Sequence, residues 1–368
     1  MSLQWTRREF GFGAAGVGLT LGMGARRVAE GEQAAGAAAA AQTAAARAVA
    51  DPYALVDPEY VAALKQFPAS VDLTVEMAKQ VRQMAAMAAL PAPAPQPVER
   101  HVPGAEGAPE VRVWMVDPAP TEKGKPVLLH MHGGGFMMPD TMLLPRLQAI
   151  ATDCRCVVVS VDYRLAPETR YTGAVEDNYA ALKWVYAHAA ELGIDRSKIA
   201  VGGESAGGYH AASLAIAARD RKEVPVMFQL LIYAALDDRT GSTREAPPAV
   251  GHFIWNASAN RLAWGALLGV AAGSASVPAA AVPARVPSVA GLPPAWIGVG
   301  ALDLFADEDM EYARRLVQAG VGTELLVVPG VFHGFDGLVP EADASKGFRA
   351  SWTAALRRAF AAGKAVPG

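Results

Sequence analysis

The chain has 368 residues, a formal net charge of -3, and 52% hydrophobic against 19% charged residues. That is enough apolar material for a sizeable core, which excludes a wholly disordered chain. No Lys/Arg-rich block stands out, which excludes a general polyanion binder, and two cysteines, Cys154 and Cys156, exclude a disulfide scaffold or a tetrahedral cysteine site.

The N-terminus reads Thr6-Arg7-Arg8-Glu9-Phe10, followed by a short, mildly apolar stretch and then Arg26-Arg27. Paired arginines, a polar residue, a Phe and a weak Gly/Ala core resemble a twin-arginine export signal, and the expected location is periplasmic or secreted. The core is too short for a membrane span, and no run of about 20 apolar residues follows it. Residues 31–50 are Ala-dominated, with no large apolar residues to dock, and read as a linker.

From Asp51 the composition becomes globular. Helices are predicted over 58–66 and 72–90; in the second, Leu73, Met77, Val81, Met84 and Met87 recur at three- and four-residue steps. Residues 91–97 read as a Pro/Ala linker. Short apolar runs then mark strands at 111–116, 127–131, 157–161, 199–202, 228–233, 296–300 and 325–328. Helical stretches fall at 143–153, 174–192, 206–218, 307–319 and 342–360. Strand-then-helix alternation predicts an α/β fold: a mostly parallel sheet with helices on both faces. Residues 237–291 break the rhythm and read as an insertion over the sheet.

Three stretches carry chemistry. His132-Gly133-Gly134-Gly135-Phe136 ends the strand 127–131. Its glycines let backbone N–H groups approach a substrate and, with the N–H of Ala206, hold a developing oxyanion. A phosphate loop would need Gly-x4-Gly-Lys-Ser/Thr, which is absent. His130 and His132 form H-x-H on a strand, but no partner carboxylate or third His lies nearby, so no metal is expected. Gly203-Glu204-Ser205-Ala206-Gly207 follows a strand and opens a helix, the setting in which G-x-S-x-G marks a nucleophilic serine. His333, in Val331-Phe332-His333-Gly334-Phe335, lies just past a late strand, where a base would reach Ser205. The acid should fall between them in chain order. Asp303, directly after the strand 296–300, is preferred; Asp307 and Asp309 are alternatives within the next helix.

Together these residues resemble the hormone-sensitive-lipase-like (bacterial family IV) esterases of the α/β-hydrolase fold. The matching stretches are 132–136, 159–168 (VSVDYRLAPE), 203–208, 300–308 (GALDLFADE) and 333–335. The resemblance implies Ser205 as nucleophile, His333 as base, Asp303 as acid, and the N–H groups of Gly134, Gly135 and Ala206 as the oxyanion hole. It also implies a cap built from the N-terminal helices and the insertion. Glu204 stands where the family often has Asp, and Tyr171-Thr172 departs from its usual apolar, Pro-containing stretch.

The expected organisation is a signal and linker at 1–50, a helical cap segment at 51–97, and a hydrolase domain at 98–368 with its cap insertion at 237–291. The expected function is hydrolysis of short- to medium-chain acyl esters. Lactones, carbonates and amides are alternative substrates, and an inactive small-molecule receptor is a further alternative. No cofactor or metal is implied. The expected partner is a small-molecule ester, with no nucleic acid and no membrane span; a homodimer is left open. Phe253, Ile254, Trp255, Leu262 and Trp264 of the insertion, with the stripe Leu73, Met77, Val81 and Met84, are expected to roof the serine.

Overall fold

A computed structural model describes residues 51–66, 73–87, 94–139 and 143–363. The twin-arginine motif and the Ala-rich tract lie outside the described residues. Eight strands form one sheet: β1 Val98–Val102, β2 Val111–Val116, β3 Lys125–Met131, β4 Val157–Asp162, β5 Ile194–Glu204, β6 Phe228–Ile232, β7 Ala295–Gly300 and β8 Thr323–Val328. Their spatial order is β1-β2-β4-β3-β5-β6-β7-β8. The pairs β1/β2 and β2/β4 are antiparallel and the other five are parallel. This is the expected α/β-hydrolase architecture.

The central strands are buried nearly end to end, as strands covered on both faces must be. Alternate side chains then go to opposite layers. Val127, Leu129 and Met131 pack with helices α4 (Tyr171–Ala187), α6 (Ala206–Arg221) and α8 (Ala306–Gln318). Leu128, between them, joins the opposite layer with α1 (Pro58–Leu64), α3 (Leu143–Cys154) and α9 (Asp343–Ala362). A third cluster sits over the C-terminal ends of the strands. It combines Phe136 with Trp255, Trp264 and Leu267, the last two from α7 (Ala257–Leu268) in the insertion, and with Ala78 of α2 (Val75–Met87).

Three sequence readings need correction. The predicted helix 174–192 is two helices, α4 and α5 (Ala189–Leu192), with His188 between them at φ -97, ψ 15. The strand read at 199–202 extends over Ile194–Glu204. β1 was not expected at all: its sequence, VERHV, is exposed except at Val102, so it lacks the alternation that marks a half-buried strand. Charged residues on such an edge discourage pairing with another chain. Among the described residues no helix is long and apolar enough to cross a membrane.

Candidate active site

Ser205 lies between β5 and α6, with φ 57 and ψ -118. A non-glycine residue there is strained, and it persists because the surroundings fix it. The Ser205 N–H donates to the Ile232 carbonyl at 2.9 Å, and its own carbonyl accepts from the Ala235 N–H at 3.1 Å. Strand and helix cross so tightly that a Cβ at Gly203 or Gly207 would lie 2.1 or 2.0 Å from the Met131 carbonyl oxygen. The glycines flanking the serine are therefore a steric requirement of the turn.

The sequence-predicted residues meet here. Ser205 Oγ lies 2.9 Å from His333 Nε2, and His333 Nδ1 lies 2.8 Å from Asp303 Oδ2. The other Asp303 oxygen accepts the Phe305 N–H at 3.0 Å, so the carboxylate is held at both ends. Asp303 is 1% exposed, His333 6% and Ser205 8%. Tyr233 and Phe305 meet the imidazole edge-on at 5.0 and 5.2 Å. The alternative acids are elsewhere engaged. Asp307 accepts from Arg244 of the insertion at 2.6 Å. Asp309 is fully buried; desolvation, then the charges of Glu308 and Asp303, push its carboxyl well above the usual range.

The serine opens into a cavity of about 380 Å³ lined on one side by Gly133, Gly134 and Gly135. Gly135 (φ 57) is pressed against the roof: a Cβ there would come within 2.4 Å of the Trp255 ring. Of the expected roof residues, Leu73, Val81, Ile254 and Trp255 line the cavity. Trp264 instead packs beneath the roof against Phe136 and Tyr209, with centroids 5.0 and 5.2 Å away. Phe253 is wedged between Tyr53 and Phe332. The Met84 side chain lies outside the described residues.

Between those anchors the chain makes a γ-turn of the rare left-handed kind. The Trp255 N–H donates to the Phe253 carbonyl at 2.6 Å, and Ile254 is left at φ 63 and 52% exposed. On the N-terminal side the anchor is Arg82 of α2. It donates to the Met137 and Ala166 carbonyls and to Glu168, pinning the helix to the loops after β3 and β4.

A second polar network was not foreseen. His130 Nδ1 lies 3.0 Å from Ser160 Oγ, and His130 Nε2 lies 3.0 Å from Glu204 Oε2. The expectation that His130 has no carboxylate nearby is thus corrected: register places β3 between β4 and β5, and the partner comes from the nucleophile turn itself. Arg146 Nη1 stands 3.6 Å from the same carboxylate. Burial alone would raise the Glu204 carboxyl, but the facing His130 and Arg146 outweigh it and hold it at about 2. His132 turns to the Gly133 carbonyl at 2.6 Å and stacks on Tyr163, holding the loop. His210 is enclosed by Phe136, Tyr163 and Tyr209, and burial pushes its imidazole well below the usual range. Among the described residues no three His, Cys, Asp or Glu gather as a metal site.

With strand order and triad geometry in hand, comparison with known proteins is decisive. The family described as alpha/beta hydrolase fold matches residues 128–337, more than half of the chain. This chain belongs to the α/β-hydrolase fold family. Within it, the chain is 35% identical over 274 residues to Carboxylesterase NlhH of Mycobacterium tuberculosis, covering 72% of this chain and 83% of that protein. It is also 35% identical over 266 residues to Esterase LipI of the same organism, covering 67% and 77%. Among solved structures, Bacterial Heroin Esterase superposes with a TM-score of 0.75 at 38% identity, covering 84% of this chain and 99% of that one. The resemblance to the hormone-sensitive-lipase-like esterases therefore holds.

Proposed function

We propose that the protein is a serine carboxylesterase acting on short- to medium-chain acyl esters. The observation that carries this reading is the hydrogen-bonded chain from Ser205 through His333 to Asp303, at 2.9 and 2.8 Å, opening into a roofed cavity. Ser205 attacks the ester carbonyl as His333 Nε2 takes its proton. Asp303, accepting from Nδ1–H, fixes the tautomer and stabilises the imidazolium. The alcohol leaves with a proton from His333, and water activated by the same imidazole releases the acid. We assign the oxyanion to the N–H groups of Gly134, Gly135 and Ala206. In support, both glycines line the cavity beside Ser205, and Ala206 is the first residue of α6, where N–H groups have no intrahelical acceptor.

Esterases among the relatives favour esters over amides or lactones, and an intact His333 argues against a receptor. Roofing by Leu73, Val81, Ile254 and Trp255 supports small apolar acyl groups, since each CH₂ buried is worth about 0.8 kcal/mol until the space is full. The test is a p-nitrophenyl ester series with organophosphonate labelling. Labelling at Ser205 and a kcat/KM maximum at butyryl or hexanoyl are expected, falling well before dodecanoyl. A maximum at palmitoyl, with activity jumping above the substrate's solubility limit, would defeat the reading.

We further propose export through the signal at Arg7-Arg8, on its sequence pattern alone. Changing both arginines to lysine should leave the activity in the cytoplasm. Unchanged export would reject this route.

A further inference from the structure

The cavity lining is of two chemical kinds. One set of side chains is apolar, with Leu73, Val81, Ile254 and Trp255. The other is polar, with Arg146, Glu204 and Tyr233. That polar side is built. Glu204, whose side chain is 6% exposed, is fixed from behind by the buried His130, itself bonded to the buried Ser160. Arg146, with a side chain 30% exposed, stands 3.6 Å from it, close enough to attract but beyond hydrogen-bond length. Tyr233 is oriented by a 3.1 Å bond from its hydroxyl to Asp336.

An apolar substrate arm laid on this side would strip water from an ion pair and return nothing, a cost that buried charges do not recover. A full anion would face Glu204, and a full cation would face Arg146. A neutral group that both donates and accepts replaces the displaced water on both members of the pair. We propose that the Arg146–Glu204 side is a subsite for a hydroxyl group, so that the preferred substrates are esters with one alkyl arm and one hydroxylated arm. The inference rests on the serine-esterase reading and adds a substrate class to it. Arg146 is its specificity-determining residue.

The experiment compares kcat/KM for butyl butyrate, 3-hydroxybutyl butyrate and butyl 3-hydroxybutyrate, so that the hydroxyl lies on the alcohol or on the acyl arm. One hydroxylated ester should exceed the parent by about tenfold, because a site built for a substrate hydroxyl discriminates against its absence. In Arg146→Met that ratio should fall to about one, with Arg146→Lys between. The proposal is overturned if neither hydroxyl is preferred, if both are preferred equally, or if the ratio survives in Arg146→Met. It is also overturned if a hemisuccinate or choline ester outruns both. Should Arg146→Met not fold, the parent-enzyme ratio and Arg146→Lys decide. Hydrolysis of butyl butyrate without discrimination overturns the subsite alone. No hydrolysis at all, with Ser205 unlabelled by an organophosphonate, takes the esterase reading down with it.

Discussion

The floor and the roof of the cavity are held by different forces. On the floor, Ser205 is fixed by backbone: strand ladders on both sides of β5, hydrogen bonds to Ile232 and Ala235, and glycines pressed on the Met131 carbonyl. On the roof, Trp255 and Ile254 are fixed by side chains: Phe253 between Tyr53 and Phe332, the Trp255 indole on Asn260 at 3.1 Å, and Arg82 gripping from α2. Backbone tolerates no exchange of geometry, whereas side-chain packing can be rebuilt residue by residue. Chemistry is therefore expected to fail abruptly with changes to the floor, and selectivity to drift with changes to the roof.

The largest break in that contrast would come from the triad. Ser205→Ala should lower kcat by roughly 10⁴ or more, leaving only binding and oxyanion stabilisation. A variant that still turns over p-nitrophenyl acetate at the parent rate would move the nucleophile elsewhere. Asp303→Asn should cost on the order of 10⁴ in kcat by disorienting His333, while Asp307→Asn, bonded to Arg244, should remain near the parent. The reverse ranking would reassign the acid.

Next comes Glu204, whose folded carboxyl sits at about 2 against an ordinary 4.5. A lowered acid adds stability that is complete above the unfolded value and is lost as pH falls from about 4.5 toward 2. Glu204→Gln should therefore melt several degrees below the parent at pH 6, with a gap that narrows from about pH 4.5 toward pH 2. A gap that stays constant across that range would mean the carboxylate charge is not what matters.

Arg82→Met should loosen α2 while leaving the triad untouched. The expected result is a several-fold rise in KM for butyryl esters with kcat changed less than twofold; a collapse of kcat would show that the roof reaches the chemistry. The smallest effect belongs to Ile254. Glycine accepts φ 63 without strain, so Ile254→Gly should stabilise by up to about 1 kcal/mol while widening acyl-length tolerance. A lower melting temperature would mean the side chain packs more than its exposure implies.

What was legible in the sequence follows the same division. The floor depends on local signals: apolar runs of strand length, and glycines at fixed offsets from Ser205. The triad followed because Asp303 and His333 each lie in the loop that leaves the end of a late strand. The His130–Glu204 bond spans 74 residues and the His130–Ser160 bond spans 30, so neither exists until strand order and register are known. Arg82 and Arg146 gave no signal for a similar reason: each reads as one arginine on a helix. Trp264 was expected over the serine because composition tells that an insertion is aromatic, not which ring faces down.

The Arg82 contacts have a consequence in time as well as in space. They join residues 55, 84 and 86 positions apart, and their acceptors exist only once the turns after β3 and β4 have closed. A contact between distant parts of a chain must first overcome the entropy of closing the loop between them. Although it is translated ahead of every strand, α2 is thus expected to be among the last pieces to settle. Pulse-labelled hydrogen exchange during refolding should find α2 amides protected after those of β3 and β5. If α2 is protected first, assembly starts from the roof and runs downward.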